Sequence, residues 1–359
     1  MQRREFVFGM MSAIGAAAAS ITGVPVHAQS IVAPVDRIGL LLPKTAGLSR
    51  ASAAVRAGIE ASYRRDGSGL AVDIYEIDET APSLAAAYRG MLERGTALVL
   101  GPLTRVGATA LLEVGDIPIT TIALNQTDGD AGLPWNVIVF TLAIESEAQQ
   151  LAASAMQNVR GMVPGGRPPA AVIVTSATAL GRRGAGAFLE RWRSLGGEAE
   201  TPLELEESAL YKFRTVVGRE RGDLYFLSMG ADLARPVRTI IGRTLPVYGT
   251  SLLSIGGPGG TARAPELDGV RLMEMPAVLD PNYASVLGYG QAPPDFSLEM
   301  QRLYALGVDA FRVARAMFSG RSSFEIDGLT GRLRFDGNHP QVERQPFLAE
   351  YRDGLPKPF

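Results

Sequence analysis

Residues 98–107 read "LVLGPLTRVG" and residues 117–126 read "IPITTIALNQ". In each, an apolar run of strand length stops abruptly, the first at Gly-Pro and the second at Asn-Gln. A helix-like stretch over 104–114 separates them. Two buried strands joined by a helix make a β-α-β unit with parallel strands, and strand ends made of small or polar residues open onto a crevice.

The same rhythm runs outward in both directions. "DRIGLLLP" (36–43) reads as a buried strand, 51–65 as a helix, "LAVDIYEID" (70–78) as a strand and 83–94 as a helix. Beyond residue 126 the order restarts: a helix over 145–160, "PAAVIVTS" (169–176), a helix over 180–195, "GDLYFLSM" (222–229), a helix over 231–242, then "LPVYGTS" (245–251) and "GVRLMEMP" (269–276). Two successive doubly wound units predict an α/β protein of two Rossmann-like lobes with a cleft between them. The tail departs from this pattern. Residues 297–319 form a long amphipathic helix, and 324–354 read as a β-hairpin or meander rich in Gly turns. The expected division is 36–141 with 277–322 in the first lobe, and 142–276 with 323–359 in the second.

Composition narrows the function. The 359 residues carry 20% charged and 46% hydrophobic side chains and a net charge of −2, which speaks against a nucleic-acid partner or a polybasic membrane patch. The start, "MQRREFVFGMMSAIGAAAASITGVPVHAQS", has a charged head, an apolar middle and a small-residue exit at Val26-His27-Ala28. It reads as a signal peptide over 1–28. Arg3-Arg4 followed by Phe6 fits a twin-arginine signal, and an ordinary secretory signal is the alternative. The mature chain is then expected to be a periplasmic protein that does not span a membrane, since no later apolar run reaches the roughly 18 residues a spanning helix needs.

Catalytic chemistry finds little support. There is no cysteine, and only His27 and His339 are present. A Ser-His-acid triad would have to use His339, which sits in the turn "DGNHPQ" and reads more simply as an exposed turn residue. A zinc site lacks its ligands. "GGPGG" (256–260) has no following Lys-Ser/Thr and joins no strand to a helix, so it is not a phosphate loop. Asp78-Glu79 and Glu206-Glu207 read as solvated faces or loop ends. No catalytic residue, metal ligand or cofactor is predicted. The candidate cleft residues are those at strand ends: Pro43, Lys44, Gly101, Pro102, Leu103, Thr104, Arg105, Leu124, Asn125, Gln126, Ser228, Thr250 and Ser251. Thr104 is placed to cap the helix that follows.

Several segments, in order, resemble one family. "RIGLLLPKTAG", "LVLGPLTRVGATALL", "IPITTIALNQ", "LPVYGTSLLS", "APELDGVRLMEMPAVL", "RLYALGVDAF" and "DGLTGRLRFDGN" are similar to the penicillin-binding-protein activators (LppC/LpoA), from about Asp36 to Asp353. Those activators lie within the wider group of type I periplasmic binding proteins. The wider group implies two lobes joined by three crossover segments. The narrower one implies a non-enzymatic activator of bifunctional penicillin-binding proteins in peptidoglycan synthesis. Two features depart from it: members are often lipoproteins, whereas this chain has no cysteine to lipidate, and the best-known members carry an N-terminal helical-repeat domain.

The strand ends also depart from amino-acid binders of the wider group, which resemble one another in a run of small hydroxyl residues gripping the ligand carboxylate. Here that stretch is Thr104-Arg105-Val106-Gly107, and the next strand end is Ala123-Leu124-Asn125-Gln126. A zwitterion would leave charges unpaired, at a cost of several kcal/mol, on the order of 2–7. The expectation is a crevice that rejects free amino acids and is partly filled by its own side chains. The alternative is the solute-binding protein of an ABC importer, whose partners would be a small-molecule ligand and an ABC permease.

Overall fold

The computed structural model describes residues 36–359 apart from 68, 130–131, 207, 209, 218–221 and 257–260. The signal-like segment with His27, Glu207 and nearly all of the "GGPGG" loop lie outside the described residues.

The first sheet contains β1 (Asp36–Pro43), β2 (Leu70–Ile77), β3 (Thr96–Leu100), β4 (Thr120–Ala123) and β5 (Val137–Val139). All pair in parallel in the order β2-β1-β3-β4-β5. Its connections are α1 (Ser49–Asp66), α2 (Ala81–Glu93) and α3 (Arg105–Ala110), the last continued by a short 3-10 turn. Alternate residues face opposite ways along a strand. Ile38, Leu40 and Leu42 therefore join one core with Leu100, Ile122 and Phe311, while Leu41 joins a second with Val99, Tyr88 and Met91. A sheet covered on both faces explains why its strands read as unbroken apolar runs.

The second sheet repeats the plan. It uses α4 (Ile144–Val159), β6 (Ala170–Ser176), α5 (Ala179–Ser194), β7 (Glu198–Ala199), β8 (Leu203–Leu205), α6 (Leu210–Val217), β9 (Leu224–Ser228), α7 (Ala231–Ile241), β10 (Val247–Gly249) and β11 (Val270–Glu274). β6 pairs in parallel with β7, β8 and β9, followed by β10 and β11. With β7 and β8 counted as one edge, both sheets have the relative order 2-1-3-4-5, the doubly wound arrangement whose crevice opens beyond the carboxyl ends of the strands.

After β11 the chain returns through α8 (Pro276–Leu279), α9 (Ala284–Tyr289) and the long α10 (Leu298–Phe318). α10 lies against α1 so closely that the backbones touch. A Cβ on Gly307 would fall 2.2 Å from the Val55 oxygen, and one on Gly58 would fall 2.0 Å from the Tyr304 oxygen.

The tail then divides in a way that differs from the expected grouping of 323–359. β12 (Phe324–Asp327), β13 (Arg332–Phe335) and β14 (Glu343–Gln345) form their own antiparallel sheet. Its apolar face, with Phe324, Leu333 and Val342, belongs to the core of the first sheet. Two backbone hydrogen bonds also tie 340–342 to β5: Val139 N–H donates to Pro340 O (2.9 Å) and Val342 N–H to Val139 O (2.8 Å). Only β15 (Phe347–Arg352), antiparallel to β11, and β16 (Leu355–Pro358), antiparallel to β15, extend the second sheet. The chain thus passes between the two sheets three times, after β5, after β11 and after β14.

Candidate functional site

The opening stretches meet as their strand pattern predicts. β3 and β4 are neighbours, so their ends lie side by side. Gly101 N–H donates to Ile122 O (2.9 Å), Leu124 N–H to Pro102 O (3.0 Å), and the Asn125 amide to Leu103 O (3.2 Å). Gly101 has φ +103°, and a Cβ there would stand 2.4 Å from Leu41 O, so glycine alone fits this strand end. Thr104 caps α3 by accepting from Gly107 N–H (3.1 Å) and donates to Glu79 Oε1 (2.6 Å).

The side chains at this edge pair among themselves. Glu145, in the first turn of α4, receives Arg105 Nη2 (2.8 Å), Gln126 Nε2 (2.9 Å) and, as an ion contact, Arg183 Nε (3.4 Å). Arg105 also reaches Asp128 (3.1 Å). Arg105 stands on α3 beside the first sheet, whereas Glu145 and Arg183 stand on α4 and α5, which pack on the second. The crevice is therefore bridged by protein groups at Arg105. Glu145 Oε2 is buried and takes no hydrogen bond, so the bridge does not exhaust its acceptors.

Other candidates fall elsewhere. Leu103 and Leu124 are core residues rather than crevice lining, 5% and 1% exposed, because the strand geometry turns both inward. Pro43 is buried as well. Lys44 is exposed and pairs with Asp78 (2.7 Å). Ser228 and Thr250 are fully buried at the ends of β9 and β10. Ser251 lies in a separate network. Its N–H donates to Glu147 Oε2 (3.2 Å) and its carbonyl accepts from Arg302 (2.8 Å). Glu147 in turn pairs with Arg344 (2.9 Å), and both side chains are 3% exposed. Arg302 meets Glu274, whose carboxylate also takes the Met275 N–H (2.8 Å) and the Ser254 hydroxyl. Desolvation works against the Arg302 charge, and Glu274 outweighs it, so the Arg302 pKa is raised.

Glu79 corrects a reading from sequence. It is buried, at 8% exposure, and holds φ +54°, a backbone region uncommon for residues other than glycine. Sequence reading also missed Glu145, Glu147 and Arg183. The two acids occupy the first turn of α4, where acidic residues suit the helix dipole and so raise no signal. His339 is exposed and faces Asp336 across 3.5 Å, which leaves it in a surface turn. Among the described residues no group of three or more His, Asp or Glu is placed to hold a metal ion, and no helix is long and apolar enough to cross a membrane.

The geometry can be set beside known proteins. The family model described as "LppC putative lipoprotein" matches residues 21–204 and 219–354, most of the chain. The chain belongs to the LppC family. Among curated relatives of this LppC-family chain, the penicillin-binding protein activator LpoA of Photobacterium profundum is 24% identical, over 90% of this chain and 57% of the relative. The protein of the same name from Haemophilus ducreyi is 26% identical, over 89% and 54%. The chain thus spans about half the length of the curated relatives it matches. Among solved structures, the LpoA C-domain from Haemophilus influenzae, described as a regulator of PBP1A, superposes with a TM-score of 0.69 at 21% identity, covering 90% of this chain and all of that one. A "putative branched-chain amino acid ABC transporter" from Chromobacterium violaceum superposes at 0.71 with 30% identity, covering 88% and 100%. The fold is that of the type I periplasmic binding proteins.

Proposed function

We propose that this LppC-family chain is a periplasmic, non-catalytic regulator that acts by direct contact on a bifunctional penicillin-binding protein. The observation that carries the reading is the match to the family over nearly the whole of the two-sheet body, with relatives named as penicillin-binding protein activators. The site geometry supports it. Arg105 and Gln126 are committed to Glu145, and the strand ends offer Leu103 and Leu124 to the core rather than hydroxyl groups to a ligand. The export signal read in residues 1–28 supports the compartment.

A second reading, the solute-binding component of an importer, is favoured by one observation, the 30% identity to the Chromobacterium violaceum protein. Calorimetry separates the two. The mature chain is expected to give no saturable heat with leucine, isoleucine or valine. Binding of any of them in the micromolar range, near 8 kcal/mol of affinity at about 1 μM, would replace the first reading by the second.

A further inference from the structure

Away from the crevice, at the amino-terminal ends of β10 and β11, a groove of about 340 Å³ opens between α4 and the end of α7. Arg238 forms part of its wall. This arginine is only 5% exposed, yet its hydrogen bonds go to backbone carbonyls rather than to a carboxylate. It donates from Nη1 to Gly242 O (2.6 Å) and from Nη2 to Asp268 O (3.4 Å), while its buried Nε has no partner. Asp268 also lines the groove, but its carboxylate is turned to the Gly354 N–H (2.8 Å). Two further cations line the groove: Arg271, which is paired with Glu350 (3.0 Å), and Arg243, which adds like charge and gives one hydrogen bond, to Pro265 O (3.2 Å).

A buried guanidinium normally has a counter-ion, because removing a charge from water without one is costly. The carboxyl end of α7 offsets part of the charge. It does not satisfy Nε, and it does not answer Arg243. Burial first, and Arg243 second, pull the Arg238 pKa down, the direction expected of a cation that lacks its anion. The remaining wall is mixed: polar Asn158, Thr244 and Tyr248 stand beside an apolar part made by Met162, 71% exposed, with Leu245 and Pro246.

We propose that this groove is a binding site for a carboxylate carried on a compact apolar group. Arg238 and Arg243 hold the carboxylate, and Met162, Leu245 and Pro246 receive the apolar part. The same chemistry is presented by a small free branched-chain acid and by the C-terminal carboxylate of a chain ending in an apolar residue. The site lies on the opposite side of the second sheet from the crevice and does not depend on the regulator reading.

The test is calorimetry and thermal shift at fixed ionic strength on the mature chain, with three probes: sodium 4-methylpentanoate, N-acetyl-glycyl-leucine, and the carboxamide of that dipeptide. Saturable binding of at least one acid, with none of the carboxamide, supports the site. Response to both acids assigns it to a free small acid, and response to the dipeptide alone assigns it to a chain terminus. Arg243→Gln, at a position outside the buried core, should weaken binding about tenfold or more, as loss of a charge-assisted hydrogen bond implies. The same loss in Arg238→Gln would add support, and Arg243→Gln carries the test if that variant does not fold. No saturable binding of either acid, equal binding of the carboxamide, or unchanged affinity in Arg243→Gln would overturn the proposal.

Discussion

Glu147 and Arg344 meet 197 positions apart in sequence and exclude water almost completely. The pair is well furnished with further partners. Glu147 takes the Ser251 N–H, and Arg344 donates to Thr330 O (3.2 Å). Removing one member strands the other's charge in the interior, which typically costs about 3–5 kcal/mol. Arg344→Met should therefore lower unfolding stability by about 3 kcal/mol in urea titration, and adding Glu147→Gln should recover much of it. A single-variant loss under about 1 kcal/mol would class the pair with ordinary surface bridges. At this scale the sequence is half legible. The strand ends at Gly101 and Leu124 stand out because an apolar run breaks there. The partners of Arg105 and Arg344 do not, because Glu145 and Glu147 are acids in a helix's first turn and nothing local pairs them with distant arginines. Glu79 is illegible for the same reason: a buried carboxylate that accepts from a capping threonine and a solvated one are the same letter.

The elements were largely readable, since strands buried on both faces give continuous apolar runs and the connecting helices give their own period. The repeat of order 2-1-3-4-5 in both sheets has no counterpart in sequence similarity, because strand order depends on which edges pair and not on particular residues. The tail shows where pattern reading stops. Alternation in "FEID" and "RLRF" identifies the apolar face of β12 and β13 but not the core that face covers, and it covers the first sheet's. The contact of α1 with α10 depends on missing side chains. Alanine at Gly307 would gain about 1 kcal/mol of helix propensity, but its methyl would stand 2.2 Å from Val55 O, which must move with its helix. Overpacking of that kind costs about 1–3 kcal/mol and sometimes more. Gly307→Ala is thus expected to lower the melting temperature, and an unchanged or raised value would mean that the two helices part without penalty.

Across the whole molecule, charged pairs join elements that belong to different sheets. Arg105 meets Glu145 near the crevice, Arg302 of α10 meets Glu274 at the end of β11, and Arg344 of β14 meets Glu147 of α4. The last two are almost fully buried, and they flank passages of the chain between the sheets. A body braced in this way suits a protein that presents a fixed surface to a partner more than one that closes around a small solute. The most direct test is the rate of glycan polymerisation by a purified bifunctional penicillin-binding protein from the same cell, measured as the mature chain is added. The account predicts a saturable rise in rate that leucine does not alter. A rate unchanged at every concentration of the chain would contradict it.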